Sequence, residues 1–94
     1  MTTSRPQSYT RVQGDASENT IKSGPGFVHR VVLSDPAGAA AAGTATLRDG
    51  AGNDLIVLDV AQGQSRSIEI GVMFDTDIRV QNSDTDMDTL IIYD

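Results

Sequence analysis

This sequence of 94 residues contains no cysteine and no tryptophan, a single histidine, and only two phenylalanines and two tyrosines. Without cysteine it can form neither a disulfide framework nor a thiolate metal site, which are common supports of small domains. With so few aromatic residues, the core must be mainly aliphatic. A domain of this length buries only roughly 60% of the surface that its unfolded chain exposes. We therefore expect modest stability, with partner subunits as a supplement.

Basic residues are also scarce, since seven Lys and Arg stand against 13 Asp and Glu, which gives a net charge of −6. Such a charge repels nucleic acid and anionic lipid, so we expect no nucleic-acid partner and no membrane partner. No apolar run approaches the roughly 20 residues of a membrane helix. The polar first residues also lack the apolar segment of a signal peptide. The sequence therefore predicts a soluble protein made in the cytoplasm.

What the sequence does contain, from Gly24 to Asp94, is a series of short apolar and polar alternations separated by Gly, Asp and Asn. This period is typical of strands joined by brief turns. It predicts an all-β fold: a single-domain antiparallel β-sandwich, jelly-roll-like, of about eight strands, over residues 9–94. Residues 1–8 are expected to form a flexible N-terminal arm, and residues 35–42 a loop with at most one helical turn. The expected strands are 9–13, 19–22, 27–33, 44–48, 54–60, 66–72, 77–81 and 89–93.

The alternation within each expected strand also predicts which side chains face the core. In the strand at residues 27–33, His29 alternates with Phe27 and Val31, which directs it toward the core as a structural histidine. The predicted core consists of Phe27, Val31, Leu33, Leu47, Ile56, Leu58, Val60, Ile68, Ile70, Phe74, Ile78, Val80, Leu90 and Ile92.

Two acidic segments resemble calcium-binding motifs. Residues 49–57 resemble one turn of the RTX nonapeptide, but stacked copies are needed to share each ion and the sequence has one copy. We interpret Asp49 to Asn53 as a turn in which glycines supply positive φ and Asn53 or Asp54 bonds the backbone.

The second segment, Asp84, Asp86 and Asp88, has the opening spacing of an EF-hand loop. It lacks the glycine at the sixth position, where Thr89 stands, and the bidentate glutamate at the twelfth. Solvated charge is the preferred interpretation. An irregular calcium site between loops, with Asp75 and Asp77 as further ligands, remains the alternative.

No arrangement of residues in the sequence indicates catalysis. Any histidine-based scheme must use His29, and Ser65 and Ser67 lack the Gly-x-Ser-x-Gly context of a hydrolase. We expect no enzyme, no catalytic or metal-binding residues and no cofactor. A small hydrolytic accessory enzyme acting through His29 is the remote alternative.

Four segments, residues 26–33, 43–50, 72–80 and 90–93, together resemble a group of small all-β bacteriophage virion proteins. Asp77 departs from this pattern, because a glycine is expected after Phe74. The resemblance implies a virion structural protein, made in the host cytoplasm, of the capsid decoration or cement type. It also implies self-association, preferably as a homotrimer, and binding to the major capsid protein or another virion protein.

Two alternatives remain open beside that function. One is a tail, collar or spike-associated virion protein. The other is a carbohydrate-binding or adhesion module, for which Tyr9 and Tyr93 are the candidates to stack on a sugar.

Overall fold

A computed structural model describes residues 8–35 and 42–94. These residues form eight strands that pair only in antiparallel fashion. Residues 1–7 of the expected arm and residues 36–41 of the expected loop lie outside the described part, and Ser8 begins the first strand. The strands are β1 (Ser8–Gln13), β2 (Glu18–Ser23), β3 (Gly26–Ser34), β4 (Gly43–Arg48), β5 (Asp54–Val60), β6 (Ser65–Phe74), β7 (Asp77–Asn82) and β8 (Asp88–Tyr93).

The strands form two four-stranded sheets, in the orders β1-β8-β3-β6 and β2-β7-β4-β5. Pairing joins β1 to β8, β2 to β7, β3 to β6 and β4 to β5. The chain thus has the pairing of one long antiparallel hairpin whose closed end is the β4–β5 turn. Successive strand pairs of this hairpin alternate between the two sheets, which is the jelly-roll arrangement. This confirms the predicted all-β sandwich. No helix of the described residues is long and apolar enough to cross a membrane.

Twelve buried hydrophobic side chains fill the space between the sheets: Val12, Val28, Val31, Leu33, Ala45, Leu47, Val60, Phe74, Ile78, Val80, Met87 and Ile91. Seven of them were predicted. Four other predicted core residues pack against this cluster but stay half-buried, because they lie on the edge strands β5 and β6: Ile56, Leu58, Ile68 and Ile70.

Three core predictions are wrong. In β8 the buried side chains are those of Thr89 and Ile91, so Leu90 and Ile92 project from the outer side of the sheet. Phe27 likewise lies outside, beside the fully buried Val28. Sequence alternation could not distinguish the two sides of β8, because both sides carry branched aliphatic residues.

The prediction for His29 is also wrong, because β3 is irregular. The pairing of β3 with both β6 and β8 shifts register between Val28 and Arg30. Opposite this shift, Gly71 of β6 has φ +63°, a left-handed conformation that suits glycine and is typical of a β-bulge. Val28 and Val31 are therefore both buried, while His29 and Arg30 lie half-buried on the outer side.

A buried polar bridge connects the two sheets. Asn82 of β7 is 1% exposed, and its Oδ1 accepts a 2.6 Å hydrogen bond from the Thr89 hydroxyl of β8. Its Nδ2 donates to the Val12 carbonyl of β1 at 3.3 Å. Because each group has a partner, burial of this polar set does not leave an unsatisfied donor or acceptor.

Candidate interaction surface

The two outer faces of the sandwich differ in chemistry. The outer side of the β1-β8-β3-β6 sheet carries a group of apolar side chains that we call the apolar face: Tyr9, Phe27, Val32, Met73, Leu90 and Ile92. Register makes these side chains neighbours, since Tyr9 lies opposite Ile92, Leu90 opposite Val32, and Phe27 opposite Met73.

Two side chains of the apolar face are largely exposed to solvent. Tyr9 is 73% exposed and Met73 is 54% exposed, at opposite edges of this sheet. A depression between Ser8, Tyr9, Leu90 and Ile92 has a mainly apolar lining. Contiguous apolar surface of this kind is typical of sites that contact another molecule.

Charged side chains lie beside and among the residues of the apolar face. Arg11 forms a bidentate ion pair with Asp88 at the β1 side, which accounts for the raised pKa of Arg11. On the inner strand β3, Arg30 lies opposite Ile92, and its Nη2 lies 3.6 Å from Glu69 Oε2. The apolar residues and these ion pairs therefore share one outer side of the sheet.

His29 lies on the same outer side of the sheet. Its Nε2 lies 3.0 Å from Asp94 Oδ2, and its ring meets the Phe27 ring edge-on at 4.7 Å. The Ser67 hydroxyl accepts a hydrogen bond from Arg30 at 2.8 Å. The serine is therefore bonded to a cation and not to the imidazole.

The opposite outer face, on the β2-β7-β4-β5 sheet, is polar and internally paired. Glu18 accepts 2.8 Å bonds from both Arg79 and Arg48, and these bonds lower the pKa of Glu18. Arg79 also bonds Asp77 at 3.0 Å, and Arg48 bonds Asp54 at 2.6 Å. Because these charges neutralise one another within the sheet, this face offers few unsatisfied groups to a partner.

Two apolar residues interrupt that polar face at its edge. Leu55 is 46% exposed and Val57 is 58% exposed, both on the edge strand β5. This strand carries neither lysine nor proline, the residues that commonly protect an edge from pairing with another sheet.

The acidic segments do not form the calcium sites considered from sequence. Asp49 instead caps the β6–β7 turn, where its carboxylate accepts backbone N–H bonds from Asp75 at 2.9 Å and Thr76 at 2.7 Å. These bonds lower the pKa of Asp49. Asn53 donates to the Asp49 carbonyl at 2.9 Å, which confirms the turn interpretation, and Gly50 has φ +89°.

The aspartates of the EF-hand-like segment likewise bond to different groups. Asp88 pairs with Arg11, whereas Asp84 accepts the Asp86 N–H at 2.9 Å within the β7–β8 loop. Asp77 lies at the other end of β7, bonded to Arg79 and to the Gly50 N–H. Within residues 8–35 and 42–94, no three carboxylate, imidazole or thiol groups are arranged to hold a metal ion.

Comparisons with known proteins find similarity in structure but not in sequence. No family model and no curated protein matches the chain. Solved structures that match include a fucose binding module of Streptococcus pneumoniae, with 17% identity and a TM-score of 0.48 over 90% of this chain and 68% of that one. A pentameric capsid protein isolated from metagenomic phage sequences matches at 16% identity and TM-score 0.47, over 90% of this chain and 58% of that one.

A third match is the coat protein of Tobacco streak virus, with 14% identity and a TM-score of 0.38 over 98% of this chain and 89% of that one. The similar structures thus include viral capsid proteins and a fucose binding module. At these identities and TM-scores the similarity carries no argument about what this chain binds or where it acts.

Sequence analysis did not identify the apolar face, because it assigned Phe27, Leu90 and Ile92 to the core. The sequence did contain one sign of this face, because the segment from Thr89 to Tyr93 is apolar on both sides. This pattern is typical of a strand whose two faces are both covered. Of the two tyrosines, Tyr93 is held within the sandwich, where its hydroxyl lies 3.1 Å from Thr10 Oγ1. Tyr9 alone of the pair remains strongly exposed.

Proposed function

We propose that this chain is a bacteriophage virion structural protein of the capsid decoration or cement type, without catalytic activity. The observation that carries the proposal is the apolar face, with Tyr9 73% exposed at its edge, on a sandwich whose other face is paired internally. A surface of this composition favours a permanent partner, because burying it removes apolar area from water. The jelly-roll topology supports the proposal as an analogy of fold, since it recurs in capsid domains.

In this proposal the partners are other copies of the chain and the major capsid protein. A homotrimer would match the local threefold points of an icosahedral head. Weak contacts repeated over many copies would then add to a large stabilisation of the shell. The net charge of −6 keeps unassembled copies from associating nonspecifically.

Quantitative mass spectrometry of purified particles tests the location. Hundreds of copies per particle would support decoration of the head, whereas a few tens or fewer would support a tail, collar or spike protein. Absence from the particle would contradict the whole proposal.

Shell binding tests the surface. We expect Tyr9→Ser to reduce the number of copies retained on shells that lack the protein, because it removes the most exposed aromatic ring of the apolar face. Val57→Ser is the matched control, since it removes a similarly exposed apolar side chain from the other sheet. Equal retention of both variants would contradict a role for the apolar face. Light scattering should give three times the 9.9 kDa mass of one chain, and a strict monomer at high concentration would contradict the trimer.

A second candidate function is a carbohydrate-binding module, which the exposed Tyr9 ring beside the depression at Leu90 and Ile92 favours. An exposed aromatic ring offers an apolar surface with a polar hydroxyl at its edge, which suits a sugar. A glycan array would show binding that Tyr9→Ala abolishes. A blank array, with and without calcium, would remove this candidate.

A further inference from the structure

The sheet that carries the apolar face has two open edges, β1 and β6. In this sheet β1 pairs with β8 alone, and β6 pairs with β3 alone. An edge strand presents a row of unpaired backbone N–H and C=O groups that another strand can use. Neither β1 nor β6 carries lysine or proline, the residues that commonly prevent such pairing. Both edges are therefore open to the addition of a strand.

The two edges match each other in strand direction. All pairs in this sheet are antiparallel, so the direction alternates across its four strands, and β1 and β6 run in opposite directions. A second copy placed beside the first in the same orientation would bring its β1 next to β6 in antiparallel fashion. Because this contact joins unlike surfaces, it can repeat from copy to copy until a ring closes.

A depression on the outer side of the sheet reaches the β6 edge. Its volume is about 390 Å³, and it is lined by Phe27, His29, Arg30, Glu69, Gly71 and Ile92. Gly71 belongs to the edge strand itself, and no other atom lies within 4 Å of the position that a Cβ would take there. The absence of a side chain at Gly71 therefore leaves room at the edge, while Phe27 and Ile92 supply apolar sides.

The opposite edge presents a ring that suits this depression. Tyr9 lies on the outer side of β1 and is 73% exposed, more than any other large apolar side chain of the described residues. An aromatic ring with a polar hydroxyl at its tip is typical of a side chain that inserts into a partner. Arg11 lies two residues further along the same side of β1, so both side chains meet whatever adds to this edge.

Charges at the two edges are complementary. The Arg11 side chain is exposed and bonds Asp88 through Nε and Nη2, so Nη1 takes no part in that ion pair. On β6 the Glu69 side chain is 82% exposed, and it lies 3.6 Å from Arg30, beyond hydrogen-bond distance. Antiparallel pairing that sets Arg11 opposite Glu69 also sets Tyr9 opposite Gly71, because both strands advance two residues in opposite directions.

We propose that β1 of one copy pairs with β6 of the next, with Arg11 opposite Glu69 and the Tyr9 ring in the depression at Gly71. On the inner side this register sets Val12, buried in its own copy, opposite the half-buried Ile68. A slip of one residue would turn these apolar side chains against polar ones. The inference rests on the self-association of the proposed function, and it adds which two edges meet.

Disulfide cross-linking tests this contact, because the natural chain has no cysteine. In the proposed register Gln13 of one copy lies opposite Ser67 of the next, and both residues are exposed. Opposite positions of paired strands are close enough for a disulfide. Within one chain these residues lie three strand spacings of about 4.8 Å apart, too far for an internal bond. The oxidised double variant Gln13→Cys with Ser67→Cys should therefore give covalent dimers and trimers on a non-reducing denaturing gel.

Single variants distinguish this contact from a twofold one. Each single cysteine variant should run as one chain, because a contact between unlike edges does not bring a residue to its own copy. Gln13→Cys with Val57→Cys is the matched control, which should not link, because Val57 is exposed on the other sheet. Linked single variants would overturn the edge contact alone, as would an unlinked Gln13→Cys and Ser67→Cys variant that light scattering shows to be trimeric. A strictly monomeric natural chain would overturn both this contact and the proposed self-association.

Substitution of Tyr9 tests the seating of its ring without cysteine. In analytical ultracentrifugation Tyr9→Ser should raise the dissociation constant of the assembly by about tenfold or more. Tyr9→Phe should retain the natural constant because it keeps the ring, and Val57→Ser should retain it because β5 takes no part in the contact. Circular dichroism shows that each variant is folded. Equal constants for Tyr9→Ser and the natural chain would overturn the proposal.

Discussion

Replacing Ile91 or Ile92 by alanine tests the register of β8, because the two residues are adjacent and chemically identical. Ile91 is fully buried between the sheets, whereas Ile92 lies half-buried on the apolar face. Truncation to alanine removes three carbons, each contributing about 0.8 kcal/mol when buried. With the cavity included, Ile91→Ala should cost about 2–5 kcal/mol. Ile92→Ala should cost about 1 kcal/mol, because its carbons are only partly removed from water and no enclosed cavity forms.

Urea unfolding followed by circular dichroism measures both costs on the isolated chain. With a slope of about 1 kcal/mol per molar urea, Ile91→Ala should lower the midpoint by about 2–5 M and Ile92→Ala by about 1 M. Equal slopes for all three proteins would show that the unfolding transition itself is unchanged. The opposite order, with Ile92→Ala the more damaging, would refute the described register and restore the core predicted from sequence. A domain of this size has roughly 5–15 kcal/mol of stability in total, so the difference is easily resolved.

Two further substitutions test polar contacts. Asp49→Asn should lower the urea midpoint at neutral pH, because it removes the negative charge that accepts the Asp75 and Thr76 N–H bonds. Since those bonds lower the pKa of Asp49, its contribution is present above pH of about 4 and is lost as the pH falls. The natural chain should therefore lose more stability than the variant between pH 5 and pH 2, in a series of unfolding curves. An identical loss in both proteins would count against this role of the carboxylate. Thr89→Val should cost about 1–3 kcal/mol by leaving Asn82 Oδ1 buried without its donor, and a neutral result in the same assay would argue against the buried bridge.

The sequence predicted the strands well because their boundaries depend on local chemistry. Glycine, aspartate and asparagine mark nearly every turn, and Gly50 has the positive φ that its turn requires. Core residues such as Leu47, Ile78 and Val80 followed from alternation because the outer sides of β4 and β7 are polar.

Alternation led to wrong core predictions in strands that are apolar on both sides or irregularly paired. In β8 both sides are apolar, so the pattern contained no information about which side faces the core. In β3 the bulge opposite Gly71 changed the side on which His29 lies. A bulge depends on pairing with a strand about forty residues away, so the pattern of β3 alone does not indicate it.

Nor could the sequence indicate that Asp35 is buried, with 2% of its surface exposed. It is one of thirteen acidic residues and precedes a proline, a combination typical of an exposed turn. Its burial results from contacts with the β5–β6 turn and from its position beside the β7–β8 loop.

The pairing of the first strand with the last has a consequence for how this chain folds during synthesis. In its sheet, β8 lies between β1 and β3, and Ser8 pairs with Tyr93. Until β8 has emerged from the ribosome, β1 has no neighbour in this sheet and one side of β3 is unpaired. The sheet therefore closes only after β8 has been synthesised, and contacts so distant in sequence form slowly. Nascent chains with unpaired edges are prone to aggregate, so a stop codon before β8 should yield insoluble protein and not a smaller folded domain.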